Sequence, residues 1–214
     1  IQKDFQKLLQ TLRNNFPGLE IDCRLRPEGK SSQLVWDIND YKKYFTNRAR
    51  VWELQSFTKC RLISGNKNLF KSFTSHYIEV VKLTDQKLIK TEMIGMRKKL
   101  YPISDNSFNL KKSSGGLADI DFIISFLLLI NPNLLLERIE NQKIKLFDVL
   151  RKISDNDVYF DLLETNFYFL KHIELANQYI FNTKLSKIPT EELKLIKLSR
   201  ECEFQDSKSF MNKL

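Results

Sequence analysis

The run Ile21-Asp22-Cys23-Arg24-Leu25-Arg26-Pro27-Glu28-Gly29-Lys30 sets one carboxylate among cations. On an extended chain, side chains two apart lie about 6.6–6.8 Å from each other on one face, so Asp22 stands between Glu20 and Arg24, with Arg26 next in the row. A carboxylate beside guanidiniums suits metal-assisted phosphoryl chemistry, in which the acid holds a divalent cation and the arginines meet phosphate oxygens. The same spacing equally fits a row of ion pairs on a solvated sheet. A second group lies at Lys111-Lys112-Ser113-Ser114-Gly115-Gly116, just ahead of a helical pattern. Free amides at that helix start, its dipole and the lysines could receive phosphate, while Asp119 could simply complement its own helix N-terminus.

The elements that must position these groups are legible from periodicity. Phe5, Leu8, Leu9 and Leu12 recur at helical spacing, and Phe16-Pro17-Gly18 ends that helix. From Leu19 to Arg26 apolar and charged residues alternate, which predicts a strand with one buried and one charged face, stopped by Pro27; Gln33 to Ile38 reads as a second short strand. Amphipathic spacing predicts helices over about 38–62, 68–82 and 85–100, then over about 117–131, 133–153, 157–182 and 190–199, with a short one near the end. The aromatic-rich stretch from Val158 to Phe181 fits core packing better than base stacking. The expected fold class is therefore α+β and predominantly α-helical.

Composition narrows the function. The formal net charge is +9, and it is uneven: residues 1–112 hold 22 Lys+Arg against 11 Asp+Glu, and residues 113–214 hold 13 against 15. That asymmetry points to a polyanion at the first half, either phosphates of a nucleotide, an acidic protein or nucleic acid. Cys23, Cys60 and Cys202 stand far apart, without disulfide-framework or zinc spacing. A reducing cytoplasm is the expected compartment. The longest apolar run, Phe122 to Ile130, is interrupted by Ser125 and too short for a bilayer core of about 30 Å, so no membrane partner is expected. There is no P-loop, G-x-G-x-x-G, G-x-S-x-G or H-E-x-x-H, and His76 and His172 sit alone in helical patterns. The chain opens at Ile1 inside a helical pattern, which leads us to expect an excerpt of a longer polypeptide.

Three strings occur in order: IDCRLRPEGKSS followed by LV, WELQSFTKCRLISG, and FNLKKSSGGLADIDF. Together they resemble the bacterial glutamine synthetase adenylyltransferases, whose usual forms are close to D-x-R-L-R-P-x-G-x-S-G-x-L-V, W-E-x-Q-A-L-x-K-A-R and K-x-G-x-G-G-x-x-D-I-E-F. Weaker likeness continues through Met93, Arg97, the segment from Tyr168 to Glu174, and Ile188-Pro189-Thr190. The resemblance implies the later part of a polymerase-β-like nucleotidyltransferase domain over 1–80, followed over 81–214 by a helical bundle shared with uridylyltransferases of the PII signalling protein. It implies transfer of AMP from ATP to a tyrosine of glutamine synthetase, its removal by phosphorolysis, or both.

By the same resemblance Asp22 is the catalytic, magnesium-binding acid, and Arg24, Arg26, Lys30, Lys59 and Arg61 meet the nucleotide phosphates. Glu53 orients Lys59 and Arg61, and Lys111, Gly115, Gly116, Asp119 and Asp121 form a substrate loop. Within the helix holding Trp52, residues Arg48, Trp52, Gln55 and Lys59 would share one face; a surface pair of Arg50 with Glu53, and Trp52 anchoring the helix, is the plainer alternative. Mg2+ and ATP are the expected cofactors, glutamine synthetase the expected partner, PII a second candidate, and nucleic acid is disfavoured. Two departures stand out. No Asp-x-Asp precedes Asp22, although the family carries an acidic pair there, and Ser113-Ser114 and Asp121 replace the usual residues of the third motif. The chain alone is therefore expected to bind metal poorly and to be inactive, as an excerpt or as a degenerate relative. The remaining alternatives are a relative of the PII uridylyltransferases and a non-catalytic basic binding module.

Overall fold

The computed structural model describes residues 1–23, 26–29, 32–101, 108–141, 145–153 and 157–214. Among them the chain forms eleven helices: α1 (Gln2–Asn15), α2 (Ile38–Asn47), α3 (Val51–Phe57), α4 (Lys67–Leu83), α5 (Gln86–Leu100), α6 (Leu117–Ile130), α7 (Pro132–Glu140), α8 (Leu146–Arg151), α9 (Asp157–Phe181), α10 (Glu192–Glu201) and α11 (Ser207–Lys213). Packing divides them into two units, Ile1–Glu92 with Phe126–Ile144, and Met93–Ser125 with Lys145–Leu214. Among the described residues no single helix is long and apolar enough to cross a membrane.

The helical part of the expected fold is observed, but the two strands are not. Residues 19–23 carry no strand and Leu19 is 66% exposed. In the other segment, Ile38 already opens α2, where the Asp37 carboxylate caps the helix by accepting from the Asn39 amide at 2.8 Å. Alternation sorts side chains onto two faces, but a strand exists only where a neighbour pairs its N–H and C=O groups. Among the described residues neither segment has such a neighbour, and the β pairing present is an isolated antiparallel bridge between Asn109 and Lys187.

In the first unit α4 packs on α2 and α7, around a core holding Tyr44, Phe45, Leu54, Tyr77, Ile78 and Val81. Rings interlock there: Phe45 meets Phe57 edge-on at 5.0 Å and stacks on Tyr41 at 5.5 Å. Each such side chain contributes about 1.5–3 kcal/mol on burial. The single helix expected over 38–62 is broken at Arg48–Arg50, and Glu53 supplies the reason. Its carboxylate is 3% exposed, so it needs donors. It takes the Tyr44 hydroxyl at 2.9 and 3.1 Å and the Arg50 backbone N–H at 3.0 Å. That N–H is available only because Arg50 is extended rather than helical. Burial and the hydrogen bond to Glu53 hold the Tyr44 phenol above its ordinary pKa.

In the second unit α9 packs on α8 and α10. The core reading of 158–181 holds for Phe160, at 8% exposure, but not for Tyr159 and Tyr179, at 72% and 87%. The helix expected over 133–153 is two, α7 and α8, with Pro132 as the first residue of α7 rather than a break before it. Arg97, 6% exposed, ties the unit's loops together. Its Nε meets Asp119 at 2.5 Å, its Nη2 donates to the carbonyls of Lys112 and Ser113 at 3.0 and 3.1 Å, and its guanidinium lies 3.8 Å from the Tyr101 ring centre. The buried Glu174 on α9 accepts from Ser186 and Lys171, both at 2.9 Å. One helical turn on, Asn177 donates to the carbonyls of Leu185 and Lys187. That segment in turn receives the Leu110 amide on Ser186 at 2.7 Å.

These contacts set three expectations. Glu53→Ala strands the Tyr44 hydroxyl and the Arg50 amide and should cost about 1–3 kcal/mol in urea unfolding, whereas Glu53→Gln, which keeps an acceptor, should cost less. At Gly116 a Cβ would stand 2.8, 2.9 and 3.0 Å from the carbonyl oxygens of Leu110, Ser113 and Lys111. Gly116→Ala should therefore destabilise by about 1–3 kcal/mol, visible as a lowered thermal midpoint. For Glu174, burial raises the pKa, but hydrogen bonds from Lys171 and Ser186 and the charges of Lys171 and Lys111 outweigh it, leaving the carboxyl below its ordinary 4.5. Its ionised form thus favours folding above about pH 4.5, and that contribution fades as pH falls through the folded pKa. Urea midpoints taken from neutral to acid pH should show Glu174→Gln less stable at neutrality and losing less on acidification.

Candidate functional site

Asp22 lies exposed at an open cleft of about 550 Å3 lined by α1 and by described residues between Glu20 and Leu34. Gln6 and Arg13 of α1 line one side; Glu20, Asp22, Arg26 and Ser32 line the other. The local chain path follows from the turn at Arg26–Gly29. Gly29 N–H bonds back to Arg26 O at 2.9 Å, Pro27 is buried, and both Glu28 and Gly29 adopt positive φ, 60° and 63°. Glycine tolerates that conformation freely; glutamate does so at a cost. Glu28 is held there with its carboxylate 2.5 Å from Arg48 Nη2. Arg48 in turn lies over the Tyr44 ring, 5.3 Å from its centre.

The residues expected to share a phosphate site are only partly brought together. Arg26 lines the Asp22 cleft, but its donors also hold the main chain: Nη1 donates to Cys23 O and Nη2 to Ser32 O at 3.2 Å. Arg24 and Lys30 lie outside the described residues. Lys59 and Arg61 are exposed beyond the end of α3, and neither lines the cleft. The face expected to join Arg48, Trp52, Gln55 and Lys59 does not exist, because α3 covers only Val51–Phe57. Glu53 is neither an orienting group nor a surface partner of the Arg50 side chain: both its oxygens are taken by Tyr44 and the Arg50 amide, inside the core. Trp52 is 37% exposed.

At the second group the helix amides expected to be free are occupied. Gly115 N–H donates to Asp119 Oδ2 at 2.7 Å, and those of Gly116, Leu117 and Ala118 donate to the carbonyls of Ser113, Leu110 and Lys111 at 3.0, 2.7 and 3.0 Å. Asp119 thus closes its own loop and binds Arg97, while Asp121 follows two residues along α6. Lys111 reaches the buried Glu174, Nζ to Oε1 3.4 Å. Among the described residues, no three His, Cys, Asp or Glu side chains lie together as ligands for a metal ion.

Three residues of consequence carry no role in the sequence reading: Arg13 at the cleft, and Arg97 and Glu174 as loop anchors. Arg97 and Glu174 do fall within the weaker stretches of family likeness, which was the signal available. The cysteines are free thiols, and burial pushes Cys60 up to about 11, away from nucleophilic use at neutral pH.

Comparison with known proteins bears on the same segments. Residues 3–76 match the glutamate-ammonia ligase adenylyltransferase family. The chain is 34% identical over 141 residues to a bifunctional glutamine synthetase adenylyltransferase/adenylyl-removing enzyme of Shewanella frigidimarina, an alignment covering 63% of this chain and 15% of that protein. It is 37% identical over 114 residues to the enzyme of the same description from Aromatoleum aromaticum, covering 51% and 12%. For the one from Pasteurella multocida the figures are 36% over 124 residues, covering 54% and 12%. The aligned part spans less than one sixth of the length of these relatives. The chain is thus similar to the glutamine synthetase adenylyltransferases, and the similarity includes the segment that builds the Asp22 cleft.

Proposed function

We propose that this chain is the later part of a polymerase-β-like nucleotidyltransferase domain, residues 1–80, followed by a helical domain, 81–214, of the kind shared with PII uridylyltransferases. In a complete enzyme it would serve the transfer of AMP from ATP to a tyrosine of glutamine synthetase, its phosphorolytic removal, or both, in the cytoplasm and with PII as a second partner. The observation that carries this reading is the cleft: an exposed carboxylate, Asp22, lines it together with Arg13 and Arg26 in a segment aligned with the adenylyltransferases.

Magnesium would supply charge neutralisation at the phosphates. With no three-ligand cluster among the described residues, however, the donors here do not make up a full metal site. The chain's own contributions are narrower. Asp22 offers one carboxylate, and Arg26 fixes the cleft wall by holding Cys23 O and Ser32 O. The basic excess of residues 1–112 raises the local concentration of phosphate-bearing ligands. By itself the chain is therefore proposed to be inactive. The basic excess of residues 1–112 also favours a second reading, a non-catalytic basic module that recognises an acidic surface.

The purified chain, mixed with glutamine synthetase, magnesium and labelled ATP, should transfer no AMP. It should bind magnesium pyrophosphate weakly in calorimetry, with Asp22→Asn lowering the metal-dependent part roughly fivefold or more while the far-UV spectrum is unchanged. AMP transfer by the chain alone would overturn the inactivity. Pyrophosphate binding indifferent to Asp22→Asn but lost in Arg13→Ala would replace the nucleotidyltransferase reading with the binding module.

A further inference from the structure

A second open cavity, of about 300 Å3, is lined by Gln33 and Trp36 from the segment before α2 and by Tyr44, Asn47 and Arg48 at the end of that helix. That size is at the small end of ligand sites, roughly 300–1,000 Å3, and suits a single planar ring system. Trp36 supplies a fixed aromatic wall. Its Nε1 donates to Ser32 Oγ at 2.7 Å, and its ring meets those of Tyr41 and Tyr44 edge-on at 6.1 and 5.7 Å, yet it stays only half-buried. The Arg48 guanidinium, 5.3 Å from the centre of the Tyr44 ring, is a second planar group on the wall. Among the described residues the Gln33 side-chain amide makes no hydrogen bond, and Asn47, whose Nδ2 donates to Lys43 O at 2.9 Å, leaves its Oδ1 open. We propose that this cavity holds the adenine base of the nucleotide whose phosphates meet the Asp22 cleft, with Trp36 as the stacking wall and Gln33 and Asn47 reading the base edge.

The charges favour an uncharged ring over a phosphate. Each cation on the wall already has a carboxylate: Lys43 Nζ lies 3.8 Å from Asp40 Oδ1, and Arg48 Nη2 lies 2.5 Å from Glu28 Oε1. A phosphate would compete with those acids, whereas a neutral base needs a planar face and hydrogen bonds. Bases stack on aromatic rings and on arginine planes. A side-chain amide pairs with adenine through two bonds, donating to N7 and accepting from the 6-amino group. Guanine and hypoxanthine carry an oxygen at that position, so an amide oxygen would face an acceptor instead. The two cavities adjoin along the chain. Ser32 lines the Asp22 cleft and Gln33 the second cavity; Arg26 lines the cleft, and Glu28 of the same turn holds Arg48. A base seated here therefore leaves the rest of its nucleotide beside Ser32, on the side of Asp22. The assignment rests on the nucleotidyltransferase reading above and adds to it the residues that would choose the base.

Adenosine has the base and no phosphate, so it reads this cavity separately from the Asp22 cleft. In a Trp52→Phe chain Trp36 is the single tryptophan, and adenosine should quench its fluorescence to saturation. Inosine, with oxygen in place of the 6-amino group, should bind about fivefold or more weakly, the loss expected for one hydrogen bond. Adenosine should lose a similar factor, about fivefold, on Gln33→Ala and on Asn47→Leu. Both residues are exposed, so the variants keep the fold, and circular dichroism checks this. Adenosine that leaves Trp36 fluorescence unchanged, binds no better than inosine, or binds equally to both variants would each overturn the base site. Magnesium pyrophosphate titrated into the same chain separates the two readings: if its binding still depends on Asp22, the nucleotidyltransferase reading survives the failure of the base site, and if it does not, both fall.

Discussion

A charge removed from water must find donors or acceptors inside the protein, and three buried ionic side chains impose that condition on this chain. Glu53 draws in the Tyr44 hydroxyl and the Arg50 amide, and so interrupts a helix that periodicity alone would continue. Arg97 gathers Asp119 and two loop carbonyls. Glu174 gathers Ser186 and two lysines. In each case the polar group specifies a loop path that apolar packing would leave undetermined, because hydrogen bonds have direction and burial of hydrocarbon does not.

The same economy shapes the candidate site. Arg26 looks in the sequence like a phosphate ligand, yet its guanidinium also braces the carbonyls of Cys23 and Ser32, and its value to the cleft includes holding the wall in place. The Lys111–Gly116 loop behaves similarly. The glycine pair is needed because Gly115 has φ +78° and because three carbonyl oxygens crowd the point where a Gly116 side chain would begin. Motif residues therefore divide into scaffold and surface. Glu53, Gly116 and Asp119 are scaffold, whereas Asp22 remains turned to the cleft.

Much of the helical plan was legible. The ends of α1, α4, α5, α6 and α9 fall within a few residues of the positions that spacing and the breaks at Phe16-Pro17-Gly18, Thr84-Asp85 and Gly116 indicate. The misreadings have a common origin. A strand over 19–26 was inferred from alternation, which records two faces but says nothing about a pairing neighbour. A single helix over 38–62 was inferred from amphipathic spacing, which cannot register that Glu53 is worth more buried against Arg50 than in line on a surface. Lys59 and Arg61, which the family resemblance groups with Asp22, do not line its cleft.

By itself the amino-acid sequence determined the predominantly helical character, the basic first half and the similarity to the adenylyltransferases. These rest on local periodicity, composition and short strings, none of which requires knowing what touches what. Only the tertiary structure decided that Glu53 belongs to the core, that the amides of Gly115 to Ala118 are already bonded, and that Arg26 doubles as a brace. Each of these depends on whether a particular group has a partner, and partners come from residues distant in sequence or from loop geometry that no periodic pattern encodes.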